Sequence, residues 1–308
     1  MVQSSHEQAL ETVLGLEGTA MPLTMQWEQP IDLMYRDIRP MPGAQFHSHA
    51  FYEIYYFQEG ECNYLIGDKL MTLHPGDLIL MHGMTLHCPN PSPSRPYIRS
   101  IIHFDPAYAH KILQPEPAAV LLKPFEELRN IRISLSAQDQ LEMEKLLKEM
   151  SSLYEQRNDD NRVVALTAYD RFTLRFFELL HIIRGWCREP IRDREHRSHK
   201  EQHVQSVITY LEDHYEKDVT LDDIAAALHL TKPYLSNLFK EVTGTTVFKY
   251  LYNRRINQAK MLFRLEPERS VSDVCSVVGF QHLAHFSRLF KATVGTSPES
   301  YRKTIKPL

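Results

Sequence analysis

In the N-terminal half of the chain, His47, His49, Glu53 and His87 are the residues whose types and spacing can do chemistry. His47 and His49 stand two apart, which on a strand points both imidazoles to one face. Glu53 lies on the adjoining strand segment, and His87 can approach from a partner strand. Neutral imidazoles with a carboxylate make a site of the kind that takes Fe, Mn, Zn or Ni. The same groups serve as hydrogen-bonding groups around a small polar molecule, or as satisfied polar residues of a core. Phe46, Tyr52, Tyr55, Tyr64 and His82 add aromatic rings able to stack on or hydrogen-bond a sugar. The candidate effector-binding set is therefore His47, His49, Glu53, Tyr55 and His87. The candidate metal set is His47, His49, Glu53 and His87. The sequence names no cofactor.

The elements that must hold these residues are strands. Tyr52–Phe57, Asn63–Ile66, Asp77–Met81 and Tyr97–Phe104 are rich in β-branched and aromatic residues. Gly60, Gly67-Asp68, Pro75-Gly76-Asp77 and Pro89–Pro93 punctuate them. Short strands at this spacing, within about Met21 to His110, predict a sandwich or barrel. From Ser136 the period becomes helical. Ser136 with Asp139 marks a helix start, followed by a stripe of Leu141, Met143, Leu146, Leu147 and Met150. A second helix, Arg162 to Trp186, has an apolar surface wide enough for both the β domain and a second subunit. The charged stretch Arg188–Lys200 reads as a linker.

The 308 residues are a prior for two domains, with ordinary globular composition: 43% hydrophobic and 24% charged. No apolar run approaches the ~18–20 residues that span a bilayer. The first residues carry His6, Glu7 and Glu11, which reads as no export signal. Cys62, Cys88, Cys187 and Cys275 form neither a CxxC pair nor zinc-type spacing, so reduced thiols in a cytoplasmic protein are expected. The net charge of −4 hides an asymmetry. Lys200–Leu308 holds 15 Lys and Arg against 12 Asp and Glu, leaving 20 against 27 upstream. DNA binding is electrostatically easier for the C-terminal part.

That part contains a repeat. Leu235-Ser-Asn-Leu-Phe-Lys240 matches Phe286-Ser-Arg-Leu-Phe-Lys291, Gly244-Thr245 matches Gly295-Thr296, and Tyr250 matches Tyr301, all at an offset of 51. Upstream, Leu221, Ile224, Ala225, Leu228 and Leu230 match Val271, Val274, Cys275, Val278 and Phe280 at 50. Each copy reads as helix, tight turn, helix. In the first, Thr220 or Asp222 caps a short helix, Thr231 is an N-cap, and Pro233 sits in the first turn of the next helix. Leu235, Leu238, Phe239 and Val242 bury one face and Gly244 ends it. Lys232, Ser236, Asn237 and Lys240 lie off that stripe. In the second copy Gly279 supplies the turn, and His282, His285, Arg288 and Lys291 are free to project. A long helix, about Val247 to Leu265, joins the copies. Two recognition helices one helical turn apart, about 34 Å, can enter successive major grooves on one DNA face. Asn, Arg and Ser suit base edges and Lys suits phosphate.

These residues resemble the AraC family of bacterial regulators over about Gln202 to Lys303. Val271–Phe280, Phe286–Lys291, Tyr234–Gly244 and Arg255-Ile-Asn-Gln-Ala-Lys260 carry the resemblance. It implies a role at promoters, usually activation and hence contact with RNA polymerase. It also implies DNA contact by Pro233, Ser236 and Asn237 in the first recognition helix and by Ala284, His285 and Arg288 in the second. Gln281-His282-Leu283 departs from the usual small polar opening of that second helix, and Cys275 stands where Ala is usual. Upstream, the spacing HxH-x3-E-x6-G at His47, His49, Glu53 and Gly60 resembles the first motif of cupin barrels. Pro75-Gly-Asp77 with His87 resembles part of the second. The Pro before the loop glycine is missing, and Gly83 to His87 is one residue longer than usual. The resemblance implies a small-molecule pocket in the barrel, often for a sugar, and supplies all four cupin ligand types.

The expected fold class is α+β: an N-terminal cupin-like β-barrel, a helical dimerisation segment and a C-terminal all-α domain with two helix-turn-helix units. The expected boundaries are an extension over 1–28, barrel 29–135, dimerisation helices 136–187, linker 188–200 and DNA-binding domain 201–308. The expected function is a sequence-specific, homodimeric transcription regulator on double-stranded promoter DNA, controlled by a sugar-like small molecule, without membrane association and without enzymatic activity. A metal-dependent cupin enzyme fused to a DNA-binding domain is the alternative, and a constitutive regulator with an inert barrel is a third reading.

Overall fold

The structure, a computed structural model, describes residues 29–39, 45–128, 130–187 and 198–304. The extension 1–28 and most of the expected linker lie outside the described residues. Among the described residues, eight strands build the N-terminal domain: β1 (Ile31–Asp37), β2 (Tyr52–Glu59), β3 (Cys62–Ile66), β4 (Lys69–Leu73), β5 (Asp77–Met81), β6 (His87–Pro91), β7 (Ile98–Phe104) and β8 (Ile131–Ser134). They form a five-stranded sheet in the order β1-β7-β2-β5-β8 and a three-stranded sheet β4-β3-β6. β6 carries Pro89 and Pro91, read from the sequence as punctuation; as an edge strand it tolerates the missing donors.

β2 shows why the two faces of the larger sheet differ. Tyr52, Ile54 and Tyr56 pack outward, in one cluster with the helices. Tyr55 and Phe57 point inward, in a second cluster with Tyr64, Ile66, Met71, Ile79 and Tyr97 between the sheets. Strand period two therefore sends Glu53, the next residue on the Tyr55 face, into the interior.

Two helices interrupt the region expected to be all β. α1 (Pro106–Ile112) is capped by Asp105, whose side chain accepts from the Ala107 amide, and α2 (Pro115–Glu127) also opens on proline. α3 (Ala137–Gln156) starts at Ser136, which accepts from the Asp139 amide. α4 runs Arg162–Trp186 behind an Asn161 cap. Met143, Leu146, Leu147 and Met150 of α3, with Phe172, Phe176, Leu180 and Ile183 of α4, cover the outer sheet face. Leu141 does not share that stripe: it is 67% exposed, as are Val163 (72%), Leu166 (55%) and Leu174 (70%) on α4.

The C-terminal domain is α5 (His199–His214), α6 (Leu221–Ala227), α7 (Lys232–Thr243), α8 (Val247–Leu265), α9 (Val271–Val277), α10 (Leu283–Val294) and α11 (Pro298–Thr304). α5 begins within the expected linker range, because Ser198 and Glu201 form a reciprocal capping box. α6–α7 and α9–α10 are the two helix-turn-helix units, and α8 joins them. Thr220 and Ser270 cap the first helix of each unit; Thr231 stands at the N-cap of α7 without a side-chain bond. The turns need left-handed backbone at His229 (φ 54°) and Gly279 (φ 89°). A Cβ at Gly279 would meet the Tyr215 carbonyl oxygen at 2.7 Å, so only glycine fits there. No helix among the described residues is long and apolar enough to cross a membrane.

The two domains pack together. Phe46, Leu65, Leu70, Leu86 and Cys88 of the barrel join one apolar cluster with α5, α6, α7 and α8.

Candidate effector site and nucleic-acid interface

Glu53 is the centre of the barrel's polar end. It is 2% exposed, and its Oε2 lies 3.2 Å from His49 Nε2, 3.3 Å from His103 Nε2 and 3.5 Å from His87 Nε2. The sheet register sets this up, because Glu53 on β2 lies directly opposite His103 on β7. Burial opposes ionisation of Glu53, but the imidazoles of His103 and His87 outweigh it and hold the carboxyl well below its usual range. Burial, with His47 alongside, pushes His87 well down, and burial drops His47 to about 4 despite the nearby Glu53. Both rings are therefore neutral at physiological pH.

Their tautomers follow from their partners. Nδ1 of His47, His49 and His87 lies 3.2, 3.0 and 2.9 Å from the carbonyl oxygens of Gln45, Phe51 and Thr85. A carbonyl only accepts, so in the neutral rings of His47 and His87 Nδ1 carries the proton, which leaves His87 Nε2 without a hydrogen-bond partner, while His49 Nε2 is hydrogen-bonded to Glu53 Oε2 at 3.2 Å.

The five expected effector residues do not all converge. His49, Glu53 and His87 do. His47 is held by an isolated bridge to His87, and its ring meets the His87 ring edge-on with the centroids 3.9 Å apart. His103, absent from the set read from the sequence, also stands beside Glu53, and the donor atoms of His103, His49 and Glu53 lie within 4.8 Å of one another. Tyr55 is buried deeper between the sheets, its hydroxyl 2.8 Å from that of Tyr97, with Tyr64 ring-to-ring at 5.1 Å. Tyr52 faces the helices instead, against His82 and Phe125, and Phe46 packs on Tyr250 of α8. Sequence reasoning missed His103. Its place on the strand Tyr97–Phe104, one alternation from Ile101, was the available signal.

Ser48, between the two histidines, is the contact that links this site to the DNA-binding domain. It is 3% exposed, and its Oγ donates to Asn257 Oδ1 at 2.6 Å. Asn257 Nδ2 donates to the Met84 carbonyl at 3.0 Å. Lys260 Nζ donates to the Ser48 carbonyl at 2.9 Å and also to its hydroxyl. Burial pushes the Lys260 amine down to about 7, with Arg264 adding to the effect. A second contact reaches a recognition helix: Asn63 and Asn90 of the barrel donate to the Val242 carbonyl near the end of α7, at 3.2 and 3.1 Å. Arg255 holds α8 inside its own domain by donating to the Tyr215 and Lys217 carbonyls. The run Arg255–Lys260, read from the sequence as part of a DNA-binding domain, is thus largely an internal and interdomain seam.

Most of the side chains expected to meet DNA are exposed. Lys232, Pro233, Asn237 and Lys240 lie on the outside of α7, with Ser236 half-buried; His282, just before α10, and Ala284, Arg288 and Lys291 on it are outward. Lys232 pairs with Asp222 at 2.9 Å, an exposed pair that costs little to break on phosphate. His285 does not project freely as expected. Its ring packs on Tyr252 and Phe280, 5.5 and 5.6 Å away, and Nε2 is buried without a hydrogen bond. Burial lowers its pKa, which keeps the ring neutral against the nearby Arg288. Gly244 and Gly295 close α7 and α10 in left-handed conformation.

Two family domains match this chain. The AraC-like ligand binding domain matches residues 34–168 and a helix-turn-helix domain matches 224–304. The transcriptional activator NphR of a Rhodococcus species is 40% identical over 108 residues, 35% of this chain and 31% of that one. An uncharacterised HTH-type regulator of Bacillus subtilis, YisR, is 32% identical over 108 residues, 37% of its length. The chain spans about a third of each of these two relatives. The melibiose operon regulatory protein of Escherichia coli is 22% identical over 310 residues, 92% of either chain. Among solved structures, ToxT from Vibrio cholerae aligns over 89% of this chain and 98% of its own at 12% identity and a TM-score of 0.32. The matched domains and these relatives belong to transcription regulators rather than enzymes, so the reading as a fused cupin enzyme is dropped. With a ligand-binding domain ahead of a doubled helix-turn-helix, the chain belongs to the AraC family of DNA-binding transcription regulators.

Proposed function

We propose that this chain is a cytoplasmic, homodimeric activator whose affinity for promoter DNA is set by a small molecule bound at the Glu53 end of the barrel. The carrying observation is Ser48: flanked by His47 and His49, it is also the hydrogen-bonding partner of Lys260 and Asn257 on the helix that joins the two reading heads. A ligand that moves the 46–49 segment changes that contact, and differential affinity for the two arrangements is what control of DNA binding requires. Asn237, Ser236 and Arg288 read base edges, and Lys232, Lys240 and Lys291 hold phosphate. A sugar-class effector is supported by the polar character of the site and by the full-length likeness to a melibiose operon regulator. The exposed Val163, Leu166 and Leu174, on one face of α4, support pairing with a second copy. Contact with RNA polymerase follows from activation.

The test is thermal melting of the full chain against a panel of mono- and oligosaccharides, with operator affinity measured for each hit. A specific binder at ~100 times its dissociation constant adds about 2.7 kcal/mol to stability and raises the melting temperature by several degrees. A hit that also changes operator affinity supports the reading. Operator affinity unchanged across every stabilising compound refutes control by the barrel.

A further inference from the structure

We infer that Arg255 is the positioning residue that sets the angle between the two helix-turn-helix units, and with it the spacing of the two DNA segments that one chain accepts. The inference rests on reading both units as DNA-binding, but not on any effector or on the barrel.

α8 by itself does not fix that angle. Its first half is packed into the first unit, where Val247, Tyr250 and Leu251 share an apolar cluster with Leu235, Leu238 and Phe239 of α7. Its second half belongs to a separate cluster, where Ile256, Ala259 and Phe263 meet Phe286, Leu289 and Phe290 of α10. Units that share no large interface move relative to one another by default.

Arg255 stands between the two cores and is 6% exposed, so it is not itself a DNA contact. Its Nε donates to the Tyr215 carbonyl at 2.6 Å, and its Nη2 donates to the Lys217 carbonyl at 2.7 Å. Tyr215 is the C-cap of α5, one of the carbonyls that a helix end leaves without an intrahelical partner. α5 is part of the first unit's cluster through Val204, Val207 and Leu211. The same guanidinium lies 5.6 Å from the ring centroid of Phe280, in the turn of the second unit. It lies 5.9 Å from that of Tyr252, on which Phe280 is stacked. A planar fork of donors that also packs on aromatic rings suits one side chain to holding backbone of one unit and rings of the other.

A second contact is made at the same place. Gly279, beside Phe280, approaches the end of α5 so closely that a Cβ there would lie 2.7 Å from the Tyr215 oxygen and 2.8 Å from the Glu216 oxygen. The 215–217 segment is therefore gripped from two sides, by Arg255 and by the turn of the second unit. Tyr252 and Phe280 also seat His285, which carries the joint onto recognition helix α10.

One added base pair turns the second DNA segment by about 34–36° and moves it by about 3.4 Å. Rigid heads cannot follow that change, whereas loosened heads can. Two linked heads gain affinity by engaging together and lose the gain when geometry forbids it.

The test measures affinity of the full chain for an operator selected from random sequences. The operator is used as selected, with one base pair inserted or deleted between the segments, and with either segment randomised. Wild type is expected to lose about tenfold or more on either spacing change. Arg255→Met is expected to bind the selected operator about threefold to tenfold less tightly, with the spacing penalty cut to about threefold or less and single-segment affinities unchanged. Arg255→Lys keeps the charge but not the fork, and is expected to shift the same way by less. A fault in the fold of one unit would instead weaken that unit's own segment and leave the spacing penalty as it was. Circular-dichroism melts confirm that the variants are folded, and Arg255→Lys decides the matter should Arg255→Met not fold. A folded variant with the full wild-type spacing penalty overturns the inference, as does a wild type that accepts the inserted base pair without loss. A wild type that gains nothing from its second segment overturns the two-headed reading itself, and the inference with it.

Discussion

Replacing Lys260 with Met reports directly on the seam between the domains. Lys260 is 7% exposed, and burial lowers its amine from the ordinary 10.5 to about 7. The other charged and titratable groups on its surroundings are Arg264 on the same helix and, across the seam, His47 and His49 on either side of Ser48, with Glu53 behind His49. A base whose pKa is lower with the domains docked than apart opposes docking in its charged form. That opposition is fully present below about pH 7 and is relieved as pH rises toward 10.5, by about 1.4 kcal/mol per pH unit. At pH 7 it amounts to about 4 kcal/mol, and between pH 7 and 9 the docked form gains about 2 kcal/mol. Lys260→Met keeps an unbranched stem in the same space and removes the charge. It also removes two hydrogen bonds to Ser48, at about 1–3 kcal/mol together. The variant is therefore expected to dock more tightly than wild type at pH 7, to lose most of that advantage by pH 9, and to lack the wild-type pH slope. Hydrogen exchange of the α8 amides at the two pH values, in both proteins, measures this. The same slope in wild type and variant, or a variant that opens more readily at pH 7 than at pH 9, would refute the reasoning.

Other outcomes follow from the same geometry. Arg288→Ala is expected to lose about 1–3 kcal/mol of discrimination between operator and random DNA, read as the ratio of the two affinities; an unchanged ratio removes Arg288 as a base reader. Lys240→Ala is expected to weaken all DNA alike and reduce the slope of affinity against salt by about one; a loss confined to operator DNA contradicts a phosphate contact. Phe286→Ala, at a fully buried ring in the core of the second unit, is expected to cost about 3–5 kcal/mol in chemical denaturation. Leu166→Glu with Leu174→Glu is expected to give a monomer by sedimentation with an unchanged melting temperature, since both side chains point to solvent in the single chain; an unchanged dimer places the interface elsewhere.

The C-terminal domain was legible because its signals are local. Duplicated stripes, capping residues such as Thr220 and Ser270, and the left-handed glycines at 244, 279 and 295 each act within a few residues. The start of α3 at Ser136 and the extent of α4, about Arg162 to Trp186, could be read for the same reason. What the sequence hid depends on contacts between distant segments. His103 joins Glu53 only through strand register, 50 positions apart. Leu141 is apolar yet faces out, because helical period alone does not say which side a sheet will cover. His285 has the type and spacing of a DNA reader, but Tyr252 and Phe280 offer its ring an apolar seat. The buried polarity of Asn257 and Lys260 makes sense only once Ser48 of the other domain is placed against them.

The central claim is that two recognition helices on one rigid α8 read DNA together under control of the barrel. Footprinting of the full chain on an operator selected from random sequences tests it most directly. The account predicts protection of two segments about one helical turn apart on one DNA face for each bound chain, with Asn237→Ala weakening one segment and Arg288→Ala the other. A single protected segment per chain, or no preference over random DNA, would contradict it.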